Sequence, residues 1–130
     1  MNQPNKIALI YNKVFNFVNL LSFFILKIRG LQGGKNSHIE NIRCNWPNKL
    51  ILGSNCEIQN EVDFRIWHPY NDSSFIKLGD NVFIGHACEF VCNERIIIGN
   101  NCLIASKTTF NNTGHEYKIG ININLQAITS

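Results

Sequence analysis

The 130-residue sequence contains no CxxC pair. Its five cysteines, at 44, 56, 88, 92 and 102, are odd in number, and none stand closer than Cys88 and Cys92. Neither a paired zinc framework nor a closed set of disulfides is therefore written into the spacing, and the cysteines read as reduced thiols in a cytoplasmic setting. A basic block is missing too. Twelve Lys/Arg and nine Asp/Glu are scattered along the chain for a net charge of +3, without the concentrated cationic stretch that nucleic-acid or polyanion binding requires. No uncharged window reaches the roughly 20 residues needed to cross a bilayer; the longest runs only from Val14 to Leu26. Nor is an export signal expected, because Lys27 and Arg29 follow the apolar stretch where small residues would form a cleavage site. A length of 130 residues and a hydrophobic content of 45% permit one domain with one modest core.

Near the N-terminus, from Lys6 to Arg29, the chain reads KIALIYNKVFNFVNLLSFFILKIR. Asn12, Asn16, Asn19 and Ser22 recur at helical spacing, so the segment is expected to be an amphipathic helix with one narrow polar stripe and a very wide apolar face. Such a helix has two uses. It can cap the open end of the fold that follows, or it can lie in a membrane interface with Lys6, Lys13, Lys27 and Arg29 near the headgroups. The two are compatible if one side caps and the other touches lipid.

Internal repetition governs the rest of the chain. Aligned on glycine, the sequence reads GKNSHI at 34, GSNCEI at 53, GDNVFI at 79 and GNNCLI at 99, each with Asn third and Ile sixth. Each step from one start to the next is close to three hexapeptides with short insertions, the longest insertion falling between 53 and 79. A coil of three short parallel strands has this period, with an aliphatic residue pointing inward once per side and a small one four places later. Its corners take Gly, Asn or Asp, which tolerate positive φ. Leu52, Ile58 and Phe64 step by six, as do Leu78, Ile84 and Phe90, and Ile98, Ile104 and Phe110. Cys56, Val62, Val82, Cys88, Cys102 and Thr108 follow four places on as the small inward residues, which gives three cysteines a packing role. Gly53, Gly79 and Gly99 are expected at the corners, with the amides of Asn55, Asn81 and Asn101 bonding from coil to coil.

Units such as LGDNVFIG and IGNNCLIA resemble those of the hexapeptide-repeat acyltransferases. The resemblance covers residues 31–115 and implies a left-handed parallel β-helix, here of about four coils after an N-terminal amphipathic α-helix over residues 1–30. That handedness is an exception to the usual right-handed crossover. The apolar helix leading into KIRGLQGGKNSHI looks like the sugar-modifying branch of capsule, O-antigen and exopolysaccharide synthesis. TTFNNTGHEY is similar to the histidine loop of the galactoside and maltose acetyltransferases, so the resemblance assigns His115 as general base. Neutral imidazole, with an ordinary pKa near 6.5, would take the proton of a sugar hydroxyl as its oxygen attacks the thioester of acetyl-CoA. Backbone N–H groups would hold the tetrahedral oxyanion.

Asn93 and Glu94, in VCNERIIIG, fall at the corner of the coil below, where the related branch contacts its acceptor sugar. Asn93 ranks first of the two, against the simpler reading of a solvated corner residue. Glu116 neighbours His115, but neighbours on an extended segment point apart. His38 and His86 occupy outward positions, and His68 lies with Trp67, Pro69 and Tyr70 in the longest insertion, a loop suited to sugar or subunit contact. A zinc site of the γ-type carbonic anhydrases needs three converging histidines, two of them five apart; here the nearest spacing between the early histidines is the eighteen from 68 to 86. No metal is expected. A β-helix presenting threonine rows to ice is disfavoured by the absence of regular outward threonines.

The family implies a homotrimer with active sites between adjacent β-helices, and later coils that build most of the acetyl-CoA groove. Residues 116–130, EYKIGININLQAITS, match no such coil beyond a possible GININL repeat at 120, and read as a loop or incomplete final coil. Two expectations follow. The chain is a cytoplasmic acetyltransferase acting on a sugar or polysaccharide, peripheral on the inner face of the membrane if its helix touches lipid, or it is a truncated β-helix without activity.

Overall fold

The computed structural model describes residues 5–115 and 128–129, the last two of the first span and the pair 128–129 by their backbone alone. Helix α1 runs from Lys6 to Ile28. Asn5 caps its start, its side-chain oxygen accepting from the Ile7 N–H at 3.0 Å. The other end closes on Gly30, whose φ of +102° lets the Leu31 N–H reach back to the Leu26 carbonyl at 3.0 Å. Leu26 and Leu31 are both buried beside this turn, the hydrophobic contact that such a C-cap commonly carries.

Twelve short strands then wind into three four-stranded parallel sheets. One face stacks β1 (Gln32–Gly33), β4 (Leu50–Leu52), β7 (Phe75–Leu78) and β10 (Arg95–Ile98). The second stacks β2 (His38–Ile39), β5 (Glu57–Ile58), β8 (Phe83–Ile84) and β11 (Leu103–Ile104). The third stacks β3 (Arg43–Cys44), β6 (Asp63–Ile66), β9 (Glu89–Cys92) and β12 (Thr109–Asn111). A 3₁₀ turn, Pro47–Lys49, precedes β4. This is the expected left-handed parallel β-helix of four coils with one N-terminal helix.

The hexad count places the core correctly. Ile39, Ile58, Ile84 and Ile104 are register partners up one face, and Cys44, Phe64, Phe90 and Phe110 up another. The phenyl rings stack at 4.9 Å between Phe64 and Phe90 and 5.0 Å between Phe90 and Phe110. Each fully buried ring contributes on the order of 2 kcal/mol through area removed from water. Cys56 and Cys88 face inward as expected, and Cys44 and Cys92, for which the repeat predicts no role, are buried with them.

The corners differ from expectation in which residue takes the left-handed backbone. Gly53, Gly79 and Gly99 do not have positive φ; Asn36, Asn55, Asn81 and Asn101 do, at 54–58°. Asparagine tolerates this region because its short amide bonds locally. The glycines serve close approach instead. A Cβ on Gly53 would sit 2.2 Å from the Gly79 carbonyl oxygen, and one on Gly79 2.7 Å from the Asn100 N–H nitrogen. The expected amide ladder is present as one rung, Asn81 Nδ2 donating to Asn101 Oδ1 at 3.0 Å. Asp80 and Asn100 supply further rungs, accepting the N–H groups of Ser54 at 2.7 Å and Asp80 at 2.8 Å.

A second corner repeats with equal regularity: Glu61, Ala87 and Lys107 take φ of 55–62° in successive coils. The third, between the β3–β6–β9–β12 face and the β1–β4–β7–β10 face, does not repeat. It spans residues 45–49, then 67–74, then only 93–94, and in the fourth coil continues through Asn112 and Thr113 into β13 (Gly114–His115). Two corners thus build the scaffold, and the third is where the chain varies.

Candidate active site at the variable corner

Each level of the variable corner is tied to the next by a polar side chain. The Asn45 amide bonds both backbone groups of Ile66 one coil above, donating to its carbonyl and accepting its N–H, each at 2.9 Å. Ser74, at the end of the long insertion, is fully buried and donates to the Asn93 carbonyl at 2.9 Å. The Phe75 N–H donates to the Glu94 carbonyl at 3.0 Å. Asn112 closes the column from above: its Oδ1 accepts the Asn93 N–H at 2.7 Å and its Nδ2 donates to the Arg95 carbonyl at 3.0 Å.

Asn93 therefore sits differently from a solvated corner residue. It is only 5% exposed, and its Oδ1 has no hydrogen-bond partner among the described residues. A buried amide oxygen left unpaired costs about 1–3 kcal/mol. Clamping of its backbone by Ser74 and Asn112 holds the amide in place against that cost. Glu94 beside it is exposed. The pair forms the bend between β9 and β10, where the chain turns from the buried Cys92 and Asn93 to the exposed Glu94 and Arg95.

His115 lies at the exit from this corner, shortly beyond Asn112. Its backbone is in β13, paired antiparallel with β14 (Ile128–Thr129), His115 opposite Ile128 and Gly114 opposite Thr129. Its side chain, Glu116 and the GININL segment lie outside the described residues. The topology thus brings the backbone of His115, Asn112, Asn93 and Glu94 to one corner of two consecutive coils.

Below them, the two longer loops of the same corner form an open groove of about 870 Å³ lined by Asn45, Trp46, Arg65, Trp67, His68 and Tyr70, with neighbouring residues. Trp67 is 56% exposed and Tyr70 89%, and the Trp46 and Tyr70 rings meet edge to face at 5.7 Å. Arg65 is held at the wall by Asp63, which accepts from Nε at 2.9 Å and Nη2 at 2.8 Å. Both bonds end on the one oxygen Oδ2, and this hydrogen-bonded carboxylate raises the Arg65 pKa further. The insertion that sequence reading places around His68 is thus an aromatic wall in which Trp46 from the coil below takes part.

The other candidate nucleophiles and ligands are disposed elsewhere. His38 lies exposed beside Glu40 at 3.9 Å, and His86 faces Glu61 at 3.6 Å; both point outward as expected. Burial pushes the Cys44 and Cys92 thiols up to about 11, and Cys92 donates to the Phe75 carbonyl at 3.4 Å. Neither offers a thiolate near neutral pH. Among the described residues no three His, Cys, Asp or Glu side chains converge as metal ligands. Sequence reading missed Asn112 and Trp46. The signal for Asn112 is in the repeat itself, since it stands one coil beyond Asn93.

No family model matches the chain, and no curated protein matches it. Among solved structures, the crystal structure of Entamoeba histolytica serine acetyltransferase 1 in complex with L-cysteine is similar over 74% of this chain and 44% of its own, with 15% sequence identity and a TM-score of 0.31. This chain accordingly spans less than half the length of that protein.

Proposed function

We propose that this β-helix belongs to an acyltransferase that moves the acetyl group of acetyl-CoA to a hydroxyl of a sugar or cell-surface polysaccharide. The observation that carries the reading is the variable corner, where the aromatic groove, the buried Asn93 amide and the strand bearing His115 occupy successive levels of one otherwise regular β-helix. Exposed Trp and Tyr faces suit the apolar faces of pyranose rings, while Asn and Arg groups between them suit hydroxyls. In this reading His115 takes the hydroxyl proton as the oxygen attacks the thioester carbonyl, and CoA leaves as the thiol after receiving that proton. Asn93 and Glu94 contribute to holding the acceptor. The complete site is formed between subunits of a cytoplasmic homotrimer.

Isothermal titration of the full chain with acetyl-CoA, followed by mass spectrometry of sugar acceptors for an added acetyl group, tests this. Heat of binding and an O-acetyl product are expected. No heat at about millimolar ligand, a Kd limit that corresponds to about 4 kcal/mol, would rule out acetyl-CoA as the donor.

One observation favours a second, non-catalytic reading in which the top coil docks onto a partner. Ile98, Cys102 and Phe110 are only partly buried, and a Cβ on Gly99 would meet nothing within 4 Å among the described residues. Stable association without acetyl-CoA binding would select it.

A further inference from the structure

Helix α1 docks through a narrow mixed face, with Asn19 and Leu26 buried and Phe15, Ser22 and Phe23 half-buried. One residue of the polar stripe is buried against the β-helix: Asn19 is 3% exposed, with neither amide atom paired among the described residues, and Leu26 beyond it is buried. The apolar stripe faces outward. Ile10, Val14, Phe17, Leu21, Phe24 and Ile28, spaced alternately four and three apart, are 49–71% exposed. A row of large apolar side chains along one face of a 23-residue helix is an unfinished surface.

We infer that this face is the protein's seat on an anionic lipid surface, with α1 lying in the plane of the interface. Charge supports lipid as the occupant. Residues 1–30 hold four of the twelve basic side chains and none of the nine acidic ones, leaving eight basic against nine acidic in residues 31–130. The net positive charge, scattered when read along the sequence, thus resides in the helix and its end. Lys6 and Lys13 each stand one turn from an exposed apolar residue, Ile10 and Phe17, where they reach headgroups while the stripe enters the acyl boundary. Lys27 donates to the Gly33 carbonyl and Arg29 to the Asn45 carbonyl at 3.2 Å, which ties the far end of the helix to the first coils. A second copy of the helix is a poorer partner, because joining two such faces would bring lysines together with no carboxylate on either helix to pair them.

The docking also decides between lying on and passing through. By length and composition α1 could cross a membrane. Its C-terminal half, however, lies on the first coil, where Asn16, Asn19, Leu20 and Phe23 flank a small cleft with Ser37, His38 and Ile39. Within the helix, the longest stretch without a buried or half-buried member is 6–14. At the helical rise that stretch is about 14 Å long, half of a hydrocarbon core of about 30 Å.

Flotation of the full chain with vesicles tests the inference. The wild type is expected to float with phosphatidylcholine containing about 30% phosphatidylglycerol, to bind pure phosphatidylcholine roughly tenfold less, and to be released as salt rises to about 0.5 M. Phe17→Glu with Leu21→Glu should abolish flotation while circular dichroism and the melting curve keep the β-helix intact. Lys6→Gln with Lys13→Gln should retain weak binding but lose the preference for anionic lipid roughly tenfold. A folded wild type that stays unbound, or binding untouched by the two glutamates, would overturn the proposal. So would an oligomer that the glutamates dissociate and that ignores vesicles, since the face would then belong to a second copy.

Discussion

Asn112 holds Asn93 from the coil above, its Oδ1 accepting the Asn93 N–H at 2.7 Å while its Nδ2 reaches past to the Arg95 carbonyl at 3.0 Å. One side chain thereby replaces the strand ladder at the point where the fourth coil departs toward His115. It fixes the start of the segment that carries the proposed base to the residue proposed to hold the acceptor.

If that reading is right, His115→Ala should lower turnover by about 10²–10⁴. Asn112→Ala should lower turnover by less and cost about 1–2 kcal/mol of stability through two lost hydrogen bonds. Steady-state kinetics beside urea denaturation separates the two. Wild-type turnover in His115→Ala would remove His115 from the role.

Trp67→Ala removes an exposed ring from the groove wall without touching the core. A rise of about tenfold in acceptor KM is expected, corresponding to roughly 1.4 kcal/mol of lost stacking, with acetyl-CoA affinity unchanged. An unchanged KM would place the acceptor elsewhere.

Glycines of equal sequence role should respond unequally. At Gly53 a methyl group would press on the Gly79 backbone at 2.2 Å, whereas at Gly99 it would meet nothing among the described residues. Gly53→Ala is expected to cost more than about 2 kcal/mol, and Gly99→Ala to stay within about 1 kcal/mol of wild type. Thermal melts of both variants check this.

Asn19 is a buried amide with both polar atoms unpaired among the described residues. Asn19→Leu keeps the shape and removes the desolvation cost, so it should raise stability by about 1 kcal/mol or more. A lower melting temperature would mean that the amide finds partners in solution.

The thiols carry a pH dependence. Cys44 and Cys92 have pKa values pushed up to about 11 from 9.0, chiefly by burial. Raised values mean that the unfolded chain loses these protons first, so the contribution is full below pH 9 and lost as pH rises toward 11. Denaturation midpoints should fall across that alkaline window, and substituting both cysteines by alanine should flatten the fall. Alkylation of the native protein should mark the half-exposed Cys102 before either buried thiol.

The repeat was legible because a β-helix is nearly one-dimensional: each coil touches only its neighbours, so a local pattern of Ile58, Ile84 and Ile104 suffices to place the core. The helix was legible for a similar reason, since its period is local. The variable corner was not. Asn93 looks like any polar corner residue until Ser74 and Asn112, one coil away on either side, are seen to bury it.

The sequence by itself determined the three-sided coil, its register and the extent of α1, because those depend on hexapeptide and helical periods that the chain repeats. Only the tertiary structure decided which side of α1 faces the β-helix, that asparagine rather than glycine takes the left-handed turn, and which corner gathers the candidate site. Those outcomes depend on contacts between residues one coil or more apart, and on space that a neighbouring backbone has already occupied.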